Sequence, residues 1–212
     1  MGQEKKESKK VANKPAIPEP VKLDTVKFLT AMRSADMNER YAAWQSAGPF
    51  GADVINVLAE LASSDDKGVA LSATGAMEKV AHYAARPGAK LEAEKTTREL
   101  LKVASSTHPR MVRANAIHLI GLIGGNQAVG GLARLMKDKE LREDARLALE
   151  LIPGNLAETA LKELAKAAND TKEEFGANLK QSLYNRNLSP KTAGTLATLK
   201  CSRAIKSDDE VG

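Results

Sequence analysis

The side chains that could carry chemistry are few and scattered. The three histidines stand as His82-Tyr83, His108-Pro109 and His118-Leu119, so none forms a dipeptide with a carboxylate. As a set they lack the spacing of metal ligands. Cys201 is the single cysteine; a thiolate nucleophile wants a neighbouring base, and no histidine lies near it in the chain. It reads as a plain thiol, and it excludes an intrachain disulfide framework. Gly121, Gly124, Gly125, Gly130 and Gly131 form a glycine-rich patch. That patch lacks the Gly-Lys-Ser/Thr ending of a phosphate loop and follows no strand pattern, so helix punctuation and close helix packing explain it. Asn169-Asp170-Thr171 and Asn187-Leu188-Ser189 match the glycosylation acceptor pattern, which is frequent by chance. Trp44 reads as a core residue at the end of the array rather than a base-stacking platform. The expectation is a chain with no catalytic, cofactor-binding or metal-binding residues, and not an enzyme.

Charge narrows the partners. The formal net charge is +5, but residues 1–22 hold six Lys and three Glu and so supply +3 of it, leaving +2 for the other 190 residues. A body this close to neutral lacks the dense basic stripe that phosphate contacts use, so nucleic acid is not the expected partner. No run of about 18 apolar residues occurs, which argues against a membrane span. The polar start Met1-Gly2-Gln3-Glu4-Lys5-Lys6 has no apolar signal region, and a cytoplasmic location is expected. Lys6 also fails the myristoylation pattern.

The elements that must position any site are helices. Alanine occurs 34 times and leucine 24 times, with 3% aromatics, and alternating β-branched stretches are absent. Both abundant residues favour helix, and small ones let helices approach closely. Residues 112–135 repeat at 141–164, a shift of 29. In that register Val112, Arg113, Ala116, Ile120 and Ile123 fall on Leu141, Arg142, Ala145, Leu149 and Ile152. Gly125, Asn126, Ala128, Leu132 and Leu135 then fall on Gly154, Asn155, Ala157, Leu161 and Leu164. Every match is identical or apolar for apolar.

Each unit holds two helices. Val112, Ala116, Leu119, Ile120 and Ile123 form one helical stripe, closed by Gly124-Gly125, and Pro153-Gly154 closes the equivalent helix one repeat later. Ala128, Leu132, Leu135 and Met136 form the second stripe, and Asp138 stands where it could cap the following helix. Looser copies lie at Ile55, Leu58, Leu61 and Ala62 followed by Val69, Ala73, Ala76, Met77 and Val80. Further helices are expected over 24–33, 38–47, 89–104, 171–184 and 190–200. The reading is an all-α array of about five helix pairs plus a terminal half repeat over residues 23–200. The Lys/Glu/Pro segment 1–22 and the stretch 201–212 read as flexible tails.

The run Pro109-Arg110-Met111-Val112-Arg113-Ala114-Asn115-Ala116 resembles the proline, valine-arginine and alanine signature of HEAT repeats. The short period and residues 141–154 look like the bacterial HEAT-like variety first noted in phycobilisome lyase subunits. The resemblance covers 24–200, most closely 108–166. It implies a right-handed α-solenoid whose second helix in each pair lines the concave side. It also implies an Asp–Arg turn contact, which His108 interrupts in one repeat and which Asp138 with Arg142 could make in the next. Iron-dependent hydroxylases of this type carry paired His-Glu dipeptides, which are missing here. HEAT-like DNA glycosylases need a basic groove with aromatic platforms, which the near-neutral body does not offer.

The resulting expectation is a scaffold that binds another protein through the concave row. Opposite the apolar stripe of 112–123 stand Arg110, Ala114, Ile117, His118 and Gly121. One repeat later stand Lys139, Glu143, Arg146, Leu147 and Glu150, and the helix around Phe175 offers Lys180, Gln181 and Tyr184. The signs are mixed and apolar residues are included, which suits a protein more than phosphate. The alternatives are a bilin lyase-type or chaperone subunit, from the resemblance alone, and weak nucleic-acid binding through the basic N-terminal tail.

Overall fold

Capping aspartates and apolar periodicity set the helix starts. The computed structural model describes residues 23–171 and 174–188. Asp24 accepts the Lys27 amide at 2.9 Å and opens α1, Thr25–Met32; Asp36 accepts Asn38 N at 2.8 Å and opens α2, Met37–Gln45. Such a carboxylate satisfies an amide that the first turn leaves unpaired. A 3₁₀ segment, Gly48–Val54, leads into α3, Ile55–Ala62. Asp66 accepts both Gly68 N and Val69 N and opens α4, Lys67–Ala84. The remaining helices are α5, Lys90–Ala104; α6, Arg110–Ile123; α7, Asn126–Leu135; α8, Arg142–Leu151; α9, Asn155–Asp170; and α10, Phe175–Leu188. No strand occurs among the described residues. The expected tails and the expected helix over 190–200 lie outside them.

Each helix packs on its chain neighbour, α1 on α2, α3 on α4, α5 on α6, α7 on α8 and α9 on α10. Helices also pack on the next but one. Thus α2, α4, α6, α8 and α10 touch in that order, and so do α3, α5, α7 and α9. One apolar core runs between these two files, from Phe28 and Met32 through Met77, Leu100, Ile120, Leu132 and Leu149 to Leu179. Full burial of such a side chain contributes roughly 1.5–3 kcal/mol. Alanines and glycines set the close approaches inside it: Ala73, Ala76, Ala116, Ala145 and Ala157 are fully buried, and a Cβ on Gly121 would lie 2.9 Å from Ala148 Cα. At the first end Phe28 stacks on Phe50 at 4.2 Å. Trp44 lies over Gly75, half-buried against the core as the sequence reading placed it.

Three local expectations need correction, the first being that a left-handed glycine ends each of these helices. Gly154 does take the left-handed conformation, with φ at 97°, but Gly124 is extended, with φ at −73°. Gly124 is required for room instead, since a Cβ there would sit 2.5 Å from Ile120 O. Asp138 accepts Glu140 N at 2.9 Å, capping the turn that leads into α8 rather than the helix itself. Its ion-pair partner is Arg113, at 3.0 Å, while the Arg142 guanidinium packs 4.8 Å from the Phe175 ring. Arg113 also donates to Ala104 O at 3.1 Å, so one guanidinium ties α5, α6 and the α7–α8 turn together. At an earlier corner Arg40 donates to Ser34 O and Ala35 O in the α1–α2 turn. A Cβ on Gly68 would lie 2.7 Å from Arg40 Nη2 and 3.2 Å from Asp66 Oδ1.

Candidate functional site

An inner helix of this file, α4, α6 or α8, has neighbours on three sides and meets solvent on its fourth, whereas α2 and α10 have described neighbours on two. At about 100° per residue, the buried positions therefore locate the outward face. On α6, Val112, Ala116, Leu119 and Ile120 are buried, and so is Ile117. Gly121, one turn beyond Ile117, is pressed against Ala148 and Leu151 of α8. Ile117 and Gly121 thus belong to the α6–α8 contact, which overturns their expected place on an open face. The physical reason is that a single stripe accounts for one packed side, whereas α6 packs on three. Met111 and His118, seven residues apart and so on the same side, are exposed.

The polar residues expected to line the site are brought together, but largely with one another. Arg110 pairs with Asp144 at 2.9 Å and donates to Glu140 O at 3.1 Å, stitching α6 to the start of α8. Lys139 is exposed in the turn before α8. Glu143, Arg146 and Glu150 turn toward α10. Arg146 donates to Glu143 Oε2 at 2.8 Å, to Glu150 Oε2 at 3.2 Å and to Ser182 Oγ. Ser182 in turn donates to Glu150 Oε2 at 2.7 Å, Asn185 donates to Glu150 Oε1 at 2.8 Å, and Asn178 donates to Glu143 Oε1 at 2.6 Å. Burial raises the Glu143 carboxyl, but the hydrogen bonds from Arg146 and Asn178 outweigh it and hold the group below the usual carboxylate value. Gln181 is exposed and donates to Asn185 Oδ1 at 2.9 Å, and Tyr184 is exposed beside it. The charged trio therefore joins two helices.

The outward face also carries large apolar side chains. Tyr41 on α2, Leu71 on α4, Met111 on α6, Leu147 on α8 and Tyr184 on α10 are between 50% and 76% exposed. Met37 and Leu151 extend the set on α2 and α8. Of these the sequence reading singled out Leu147 and Tyr184 and missed the others. A signal was present, since Tyr41 and Leu71 each stand five residues beyond the aspartate that caps their helix. On α1 and in the other file the exposed large apolar residues Val26, Leu91 and Leu156 all sit at the second position of a helix.

Among the described residues no group of three or more His, Cys, Asp or Glu side chains is arranged to hold a metal ion. His108 faces Ser63 instead, with Nδ1 3.1 Å from Oγ, which links the end of α3 to the α5–α6 turn. Among the same residues no helix is long and apolar enough to cross a membrane. The chain matches no family model, and no curated protein sequence is significantly similar to it.

Proposed function

We propose that the chain is a non-enzymatic scaffold: a right-handed α-solenoid of HEAT-like helix pairs that binds another protein across the outward face of α2, α4, α6, α8 and α10. The observation that carries this reading is the run of exposed apolar side chains, at least one on each successive helix of a single file. Isolated exposed apolar residues are ordinary, but a series presented side by side on adjacent helices is what a protein-binding surface requires. In this reading the file lines the concave side. Mixed charge beside it, from Lys67, Glu78, Arg110 and Lys139, favours a protein over a polyanion.

The test uses Leu71→Glu/Leu147→Glu on the outward face and Leu91→Glu/Leu156→Glu on the other file. All four positions are exposed, so circular dichroism should be unchanged in both double variants. A partner recovered in stoichiometric amount from the native extract should be lost with the first pair and kept with the second. Retention by both, or loss from both, would sink the assignment of the face.

A further inference from the structure

Two aromatic side chains meet on the outward side of α2. The Tyr41 and Trp44 ring centroids lie 5.4 Å apart with the rings at 85° to one another, so they wall a notch rather than form a stack. Tyr41 is 57% exposed. Trp44 is half-buried, seated on Gly75 of α4, with Lys79 Nζ 5.5 Å from its ring centroid. Among the described residues no carboxylate pairs with Lys79.

Such a notch suits a proline-rich strand. Proline and its neighbours pack against aromatic walls, and a chain already biased to an extended form loses little freedom on docking. This chain carries the run Pro15-Ala16-Ile17-Pro18-Glu19-Pro20 just before α1. Each proline fixes its own φ and turns the residue before it, here Lys14, Ile17 and Glu19, away from helix.

The fold brings the run within reach. The four-residue turn Arg33–Asp36 sets α2 back against α1, so the start of α1 lies beside the end of α2. The Phe28–Phe50 stack agrees, since Phe28 stands in the first turn of α1 and Phe50 five residues beyond Gln45. From Asp24 back to Pro18 an extended chain spans roughly 19 Å at about 3.1 Å per residue, against a helix diameter of about 10 Å. The described neighbours of α2 are α1 and α4, and neither blocks its remaining flank. On that course Glu19 would come level with Lys79, and Ile17 with Tyr41 and with Met37 one turn further, which is 69% exposed.

We propose that residues 15–20 of this chain dock in the Tyr41–Trp44 notch as an extended proline strand, with Glu19 against Lys79. The strand covers the first apolar side chains of the outward face and competes there with whatever else that face binds. The competition rests on the scaffold reading above, whereas the docking itself does not.

Trp44 is the only tryptophan of the chain, so its fluorescence reports on the notch in the full chain with no partner present. Pro15→Ala/Pro18→Ala/Pro20→Ala changes none of the described residues. It should shift the emission to the red and raise acrylamide quenching above the parent's. Glu19→Lys turns attraction to Lys79 into repulsion and should lower the docked-to-free ratio about fivefold, with quenching raised likewise. Lys79 itself lies by the ring, so the charge exchange is read as Lys79→Glu with and without Glu19→Lys; the double variant should be the better shielded. Quenching unchanged by the triple proline variant, or equal in the last two variants, would overturn the proposal. So would parent shielding that grows with protein concentration, because the strand would then be docking on a second copy.

Discussion

Replacing Gly121 and Gly130 by alanine in turn asks one substitution to do opposite things. Both glycines lie inside helices, α6 and α7, where alanine is favoured over glycine by roughly 0.8–1.0 kcal/mol. At Gly130, an exposed position, a Cβ meets nothing closer than Arg134 Nη1 at 4.0 Å. Gly130→Ala should therefore keep the whole gain of about 1 kcal/mol. At Gly121 the same Cβ would lie 2.9 Å from Ala148 Cα, 3.2 Å from Ala148 Cβ and 3.3 Å from Leu151 Cδ1. The nearest of these atoms is helix backbone, so α6 and α8 must separate. Overpacking of this kind costs about 1–3 kcal/mol. Against the helical gain, Gly121→Ala should come out roughly 1 kcal/mol destabilised, a difference of about 2 kcal/mol between the two variants. For a chain of this size 1 kcal/mol moves Tm by about 2–4 °C, so thermal melts should shift upward for Gly130→Ala and downward for Gly121→Ala. If Gly121→Ala stabilises as much as Gly130→Ala, the α6–α8 approach is wrong, and with it the placing of Ile117 and Gly121 inside.

Two further outcomes follow from polar groups. Thr97 on α5 is fully buried and its hydroxyl has no hydrogen-bond partner, so Thr97→Val should raise stability by about 1 kcal/mol; a lower midpoint in urea would show that the hydroxyl is satisfied. The Asp66, Glu92, Glu99, Asp138 and Glu143 carboxyls are all held below their ordinary values of 3.8 for Asp and 4.5 for Glu. The unfolded chain therefore binds more protons in the acid range, so the contribution of these groups is complete above about pH 5 and is lost as pH falls through the depressed values. Tm should hold between pH 7 and 5 and drop by pH 3, and a flat profile would contradict the pairing.

Helix positions were legible because alanine, leucine and their 3.6-residue spacing speak locally. The 29-residue shift even located α6 to α8 and the start of α9 to within a few residues, although α9 runs on six residues past the repeat, to Asp170. Partners across helices were not legible, because they depend on which turn faces which. Arg113 and Arg142 occupy the same place in the repeat, yet one meets Asp138 and the other lies against Phe175. A subtler repeat was readable but passed unnoticed. Ser34, Ser64 and Ser106 each accept, through Oγ, the amide two residues on, from Asp36, Asp66 and His108. That Ser-x-Asp spacing marks three successive corners, and in the third a histidine stands where the others have the capping aspartate. The 3₁₀ segment Gly48–Val54 was missed for a different reason: Pro49 and Gly51 break helical periodicity without spelling what replaces it.

The choice between the two surfaces on α8 rests on what a docking partner would have to break. Arg146 is 13% exposed at its side chain and already holds Glu143, Glu150 and Ser182. A partner that recruited it would first forfeit hydrogen bonds to charged groups, each about 1.5–3 kcal/mol, and would regain at most the same bonds. Leu147, one residue further, is half-exposed and gives up only water. Covering its remaining surface would contribute on the order of 1 kcal/mol, half the value of a fully buried leucine. Repeated at Tyr41, Leu71, Met111 and Tyr184, that modest term accumulates with no intramolecular bond to break first, against the general cost of association. In the proposed scaffold, binding energy would therefore come from the apolar residues between the charges, while the charges hold the helices in place.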